Sequence, residues 1–284
     1  MTMMKKALAG VTLIAAATLG ASQASAADKV TIGYVNGWAD SVATANVAAA
    51  ALERKLGDEV TLKPVDAAIM WQGVARGDLD VSLAAWLPVT HGQYYKRFKS
   101  QIKVLGTNYE NAKIGLAVPD YMKTKSVADL KAEKSDYRGI ITGIDAGAGV
   151  MQKANQANKD YGLGYNVMPS SGTAMTVALG RAIKSEKPIV VTSWLPHWMF
   201  TKWHLHFLDD PKGVFGKSEH IDTIANPTFV KNDPKAAALL GKLNWNSQQI
   251  GEVMLAISNG EKPAKAASDW VKKNPDVVNQ WVAD

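Results

Sequence analysis

The chain has 284 residues, of which 47% are hydrophobic and 20% charged, with nine tryptophans and no cysteine. That is material for one large or two ordinary domains with a substantial core. The lack of thiols excludes disulfides, a thiolate metal site and a cysteine nucleophile. The formal net charge of +6 drops by two, to +4, if Lys5 and Lys6 are removed with a leader. A charge this small and dispersed aids solubility and gives no footprint for nucleic acid.

Lys5 and Lys6 precede an apolar run from Ala7 to about Leu19, and Ala24-Ser25-Ala26 fits a small-x-small cleavage site. Residues 1–26 are therefore expected to be a signal peptide, cleaved after about Ala26, and the mature chain to be periplasmic. The apolar run is shorter than the roughly 20 residues a membrane-spanning helix needs. With no cysteine at the mature start, the protein is expected to be free rather than lipid-tethered.

In chain order, Lys29 to Tyr34 alternates as a first strand, and Asn36 to Asp40 reads as a turn. An alanine-rich helix follows from about Ser41 to Leu56, stopped by Gly57. Val60 to Val65 is a second strand, Ile69 to Arg76 a short helix, and Asp80 to Ala84 a third strand running into Trp86-Leu87-Pro88. Lys113 to Val118 is a strand closed by Pro119. Ser126, with Asp129 three residues on, predicts a capped helix. Gly139 to Ile144 is a strand, Asp145 to Gly149 a loop, and Val150 to Asp160 a helix. Ala174 to Lys184 is another helix, and Ile189 to Thr192 a strand ending at Ser193-Trp194-Leu195-Pro196. His220 to Ile224 reads as a returning strand, followed by helices at about 234–243, 247–258 and 263–273.

Strands alternating with helices predict parallel α/β sheets. The expected fold is α/β: one lobe of residues 27–111 and 221–284, a second of 112–220, and a hinge with a ligand cleft between them. Each lobe has a strand ending in Trp-Leu-Pro: Ala85 to His91 in the first, Ser193 to Trp198 in the second. Ligands of open α/β sheets bind outside the carboxyl ends of strands, so Trp86 and Trp194 are expected to face the crevice; the alternative is coincidence plus core packing. Trp71, Trp245, Trp270 and Trp281 have apolar neighbours at helical spacing and read as core. Trp198 and Trp203 read as packing residues.

The mature chain resembles, nearly end to end, the glycine-betaine/proline-betaine binding proteins of ABC importers. The resemblance is carried by Gly37 to Asp40, Asp66 to Gly73, Gly77 to Asp80, Ala85 to His91, Asn111 to Leu116, Asp145 to Met151, Thr192 to Phe200, Phe207 to Pro211 and Trp270 to Pro275. It implies a two-lobed periplasmic-binding-protein fold of type II. It also implies a box of Trp38, Trp86 and Trp194 around a trimethylammonium head. The amides of Gly149 and Val150, with His91, would hold the carboxylate. The implied partners are an inner-membrane ABC permease and a separate ATPase, with a monomeric binding protein, no cofactor and no nucleic acid.

These residue types suit that chemistry. A quaternary ammonium has no hydrogen-bond donor, and the negative faces of indoles match its diffuse charge at about 0.5–2 kcal/mol each. Gly147-Ala148-Gly149 precedes a helix whose first amides are unpaired and favour an anion. Asp40 either sits near the cation, as an Asp at this place does in choline-binding relatives, or caps the helix beginning near Ser41. A ring N–H of His91 can donate to a carboxylate, more strongly as imidazolium. The alternative is a surface or capping histidine. Choline binders resemble this chain without the Trp-Leu-Pro-Val-Thr-His stretch, which tilts the expectation toward betaine.

Rival functions are weakly supported. There is no Gly-x-Ser-x-Gly elbow or His-Glu-x-x-His helix for an enzyme. His204-x-His206 lacks a third metal ligand, and Gly213 to Ser218 lacks phosphate-loop spacing. A ligand sensor would share this sequence. Choline, carnitine, dimethylsulfoniopropionate and proline betaine remain as alternative ligands.

Overall fold

The computed structural model describes residues 29–282; the expected signal peptide lies outside the described residues. The chain forms two α/β lobes joined by shared strands. In the first, β1 (Lys29–Tyr34) lies parallel to both β2 (Glu59–Pro64) and β3 (Val81–Leu87). Helices α1 (Ala39–Lys55) and α2 (Ala67–Arg76) make the connections, and α2 ends on Gly77 in the left-handed conformation. After β3 comes a short helix, α3 (Gly92–Phe98).

The crossing is made by β4 (Lys103–Pro119), a strand of 17 residues. Its first part pairs antiparallel with β9 (Glu219–Ala225), and its last part, from Lys113, pairs with β7 (Val191–Leu195) and β8 (Leu205–Phe207). Between the two parts the ladder is bulged and Asn111 takes a left-handed backbone, which Asn tolerates better than most residues. In the second lobe β5 (Ile140–Thr142) lies parallel to β6 (Asn166–Met168) and to β7. Helices α4 (Gly149–Asp160) and α5 (Gly172–Lys184) cover it, and α6 (Met199–Lys202) follows β7. The whole sheet runs β2-β1-β3-β9-β4-β7-β5-β6, with β8 beside β4.

From β9 the chain is back in the first lobe. It adds α7 (Pro227–Asn232), α8 (Pro234–Lys242), α9 (Ser247–Ser258), α10 (Pro263–Lys273) and α11 (Pro275–Val282). Asn246 and Gln249 close a capping box at the start of α9. Trp245, Trp270 and Trp281 form a ladder of rings 5.8 and 6.1 Å apart in this helical layer. These three and Trp71 are buried, as core residues should be.

Several expected elements differ. The helix expected after Ser126 is a single 3-10 turn over Asp129–Lys131. Asp129 does accept from the Ser126 amide, at 2.9 Å, but Ser126 Oγ accepts from Ala128 two residues on, so the pair closes a turn instead of starting a helix. The strand expected at 189–192 is displaced to Val191–Leu195, which places Trp194 within it. Five short elements (β6, β8, α3, α6 and α7) and the terminal α11 had no expected counterpart. The first part of β4 was also missed, because its mixed burial leaves no clean alternation.

Candidate ligand-binding site

A cavity lies between the lobes, lined by Trp38, Trp86, Thr90, Ile114, Ile144, Ala148, Gly149, Val150 and Trp194. The three tryptophans expected to converge do so, at 5%, 3% and 3% exposure. Trp38 stands at the N-cap position of α1 with extended backbone, which turns its ring off the helix. Trp86 and Trp194 sit near the ends of β3 and β7, each followed by a cis Leu–Pro peptide. Ile114 is the cross-strand partner of Trp194 on β4, which brings it into the lining. Thr90, Ile114, Ile144 and Ala148 are lining residues beyond the expected site set. Thr90, Ile114 and Ala148 nonetheless fall inside the motif stretches, and Ile144 immediately precedes one.

Two indole N–H groups reach carboxylates on the opposite lobe. Trp194 Nε1 donates to Asp40 Oδ1 at 2.9 Å, and Trp38 Nε1 donates to Asp145 Oδ2 at 3.1 Å. A ring whose N–H donates to an anion is more electron-rich, so both faces gain negative potential. Asp40 lies in the first turn of α1, and its side chain is buried against Trp194 instead of acting as the helix N-cap. Burial raises its pKa to about 6, opposed by the Trp194 N–H and the first-turn amides of Asp40 and Ser41. The Trp86 indole N–H also approaches Asp40 and lowers its pKa, without reaching hydrogen-bond geometry.

His91 is fully buried, which removes the surface-histidine alternative. It occupies the N-cap position of α3, but its side chain makes no capping bond. The ring does not line the cavity; it stacks behind Trp38 at 5.7 Å and meets Trp71 edge-on at 5.9 Å. Its Nδ1 accepts from the Trp86 amide at 3.1 Å, so the neutral ring must carry its proton on Nε2, a buried donor with no partner. Burial lowers the pKa to about 3, so the ring is neutral at physiological pH. Of the two forms that could donate, the neutral ring of fixed tautomer is the one this environment favours over the imidazolium.

The loop between Trp86 and His91 is held from two sides. The His91 amide donates back to Trp86 O at 2.8 Å. Glu219, at the start of β9, accepts from the amides of Val89 and Thr90 at 2.9 and 2.7 Å and from the Thr90 hydroxyl. Opposite Thr90, α4 begins at Gly149. The amides of Gly149 and Val150 open that helix and have no intrahelical acceptor, so they and the helix dipole favour an anion. A Cβ at Gly149 would come within 2.4 Å of Thr90, so only glycine allows this approach.

Elsewhere, His206 uses both ring nitrogens, on Asp120 Oδ1 and Thr124 O, each at 2.8 Å, which leaves none for a metal. The Gly213–Ser218 loop leads into β9 and not into a helix, so it lacks the helix N-terminus a phosphate loop needs. No helix among the described residues is long and apolar enough to cross a membrane.

Residues 28–273 match the sequence family described as the substrate binding domain of ABC-type glycine betaine transport systems. The glycine betaine/carnitine transport binding protein GbuC of Listeria monocytogenes is 47% identical over 144 residues, which are 50% of this chain and 48% of that protein. The match thus spans about half the length of that curated relative. The crystal structure of lactococcal OpuAC, closed and complexed with glycine betaine, superposes with a TM-score of 0.85 at 41% identity, over 90% of this chain and 100% of that one. An ABC-transporter choline binding protein in complex with choline superposes with a TM-score of 0.83 at 29% identity, over 89% and 91% of the two chains.

Proposed function

The chain belongs to the family of substrate-binding domains of ABC-type glycine betaine transport systems, and from that membership we propose that it captures glycine betaine in the periplasm and delivers it to an ABC importer for osmoprotection or catabolism. It acts as a binder that leaves its ligand unchanged, as a monomer, and hands it to an inner-membrane permease driven by a separate ATPase. Residues 1–26 direct export and are cleaved off after about Ala26. The lobes are 27–111 with 221–284, and 112–220, and they close on the ligand by rotation about the crossing strands β4 and β9.

In this reading the trimethylammonium head lies among Trp38, Trp86 and Trp194, and the Asp40 carboxylate behind Trp194 adds negative potential. The carboxylate end meets the Gly149 and Val150 amides; the Nε2–H of His91, expected to join them, lies behind Trp38 and reaches the carboxylate only when that ring shifts. Three cation–π faces with burial of the methyl groups suffice for roughly micromolar affinity, about −8 kcal/mol.

The observation that carries this reading is the convergence of three indole rings, from three separate segments and both lobes, with the N-terminus of α4 on one cavity. Choline is the alternative favoured by a specific observation, Asp40 lying beside the box at Trp194; carnitine is the other. A ligand-sensing role differs only in the partner, and loss of uptake on deleting the gene separates the two. The direct test is a thermal-shift panel of glycine betaine, choline, carnitine, proline and ectoine. A true ligand raises the melting temperature because it binds only the folded form. A shift with none of the quaternary amines rejects the proposal.

A further inference from the structure

Next to the Trp38 wall of the cavity, Gly37 and Trp38 on the first lobe meet Asp145 and Gly172 on the second. Trp38 Nε1 donates to Asp145 Oδ2 at 3.1 Å. Gly172 is the first residue of α5, and a Cβ there would stand 1.8 Å from the Gly37 carbonyl oxygen, which no side chain can do. From the other side, a Cβ on Gly37 would lie 3.3 Å from the Gly172 amide nitrogen and 3.5 Å from Asp145 Oδ2. The lobes therefore meet here backbone to backbone, joined by one short side-chain bond. Long flexible side chains can hold a contact over a range of lobe separations. This one exists at a single separation.

A second set of contacts between the lobes differs in kind. Tyr94, half-buried, reaches the Gly147 carbonyl oxygen at 3.3 Å, and the exposed Gln93 reaches Gln152 at 2.6 Å, both through the far ends of long side chains. Those contacts tolerate some opening, whereas the one at Trp38 does not.

We propose that Asp145 and Gly172 form a latch that engages Trp38 only when the lobes are closed. The same indole then presents its face to the ligand and its N–H to the opposite lobe, so filling of the aromatic box and closure become one event. Asp145 acts as a positioning residue: it fixes the tilt of the Trp38 ring and needs no contact with the ligand. Gly172 sets how near the lobes come. The inference rests on the reading of Trp38 as a wall of the ligand site.

The test uses the full mature chain with glycine betaine as probe, measuring affinity by calorimetry and dissociation by stopped-flow tryptophan fluorescence. Small-angle scattering is recorded with and without saturating ligand. Asp145→Ala is expected to release ligand about tenfold faster with little change in association rate. Asp145→Asn, whose amide oxygen still accepts the Trp38 N–H, restores most of the residence time. Gly172→Ala keeps every box residue, yet its saturated form scatters as the open molecule. Trp86→Ala serves as the control for the site itself. The latch is overturned if Asp145→Ala and Gly172→Ala release ligand within about twofold of wild type and close normally while Trp86→Ala loses affinity. It is also overturned if Asp145→Asn is as impaired as Asp145→Ala, because the hydrogen bond would then not be the operative feature. Wild-type affinity in Trp86→Ala, or no binding by the wild type, rejects the site reading and the latch with it.

Discussion

Trp194 on β7 donates its indole N–H to Asp40 on α1 at 2.9 Å, a buried bond that ties the lobes together behind the aromatic box. Its acceptor is a carboxylate whose pKa burial has raised to about 6 from an ordinary 3.8. The acid form still accepts through its carbonyl oxygen but carries no charge. The strength of the bond, and the potential it lends the ring, therefore change within an accessible pH range.

Ligand affinity should follow that titration. A quaternary ammonium nearby favours the ionised form of Asp40, so binding lowers its pKa below 6 and releases a proton at pH values between the free and bound pKa. Affinity is then flat above about pH 7 and weakens as pH falls through 6, by at most about tenfold per pH unit for one linked proton. Asp40→Asn, which carries no titrating group, should flatten the profile. Calorimetry from pH 4.5 to 8 checks this. An unchanged slope in Asp40→Asn assigns the titration to another group.

The box residues should dominate the binding energy. Trp86→Ala and Trp194→Ala each remove one ring face and its desolvated contact, and each should weaken glycine betaine at least about tenfold, near 1.4 kcal/mol. Trp194→Ala also leaves Asp40 without its indole donor and should weaken binding more than Trp86→Ala does. Trp198→Ala, a half-buried ring beside Trp203 and outside the cavity lining, should bind as wild type. Equal affinities for the folded Trp86, Trp194 and wild-type proteins would remove the box from the account.

His91 should discriminate between ligand classes. Its Nε2–H is a buried donor awaiting an acceptor, and a bond from it to a carboxylate is worth roughly 1.5–3 kcal/mol. His91→Ala also removes support from behind Trp38, a loss that any box ligand shares. The informative quantity is therefore the ratio. Betaine affinity should fall about tenfold more than choline affinity, and parallel losses measured by calorimetry would leave His91 with only its packing role.

Much of this site was legible in the sequence for one physical reason. Trp86 and Trp194 lie in strands that stop at proline, and strand ends are where α/β sheets present side chains to ligands. Gly149 announced itself as a glycine before a helix. What the sequence hid were relationships between distant segments. The bonds from Trp38 to Asp145 and from Trp194 to Asp40 span 107 and 154 positions, and nothing local marks Asp145 as an acceptor. The protonation state of His91 also depends on full burial, which its neighbours Thr90 and Gly92 do not advertise. The fold was clearest where helices carry strong stops, as at Gly57 and Gly77. It was least clear in β4, whose first part alternates poorly because the strand belongs to both lobes in turn.

Glu219 is the residue whose importance the sequence concealed most fully. It sits at the start of β9, where the chain returns from the second lobe, and three donors of the Val89–Thr90 loop converge on its buried carboxylate. That loop carries Thr90 to the cavity and against Gly149, so Glu219 ties a crossing strand to the ligand site. Glu219→Ala strands those donors, each costing about 1–3 kcal/mol if it stays buried and unpaired. It should lower the melting temperature and weaken betaine at least about tenfold. Glu219→Gln is the informative partner: its amide oxygen accepts both backbone N–H groups, and its NH2 donates to the Thr90 hydroxyl, which turns to accept. Geometry is thereby kept while the charge is lost, so Glu219→Gln should retain affinity within about threefold. If Glu219→Gln, folded by circular dichroism, binds as poorly as Glu219→Ala, the negative charge itself and not the placement of the loop is what the site requires from this position.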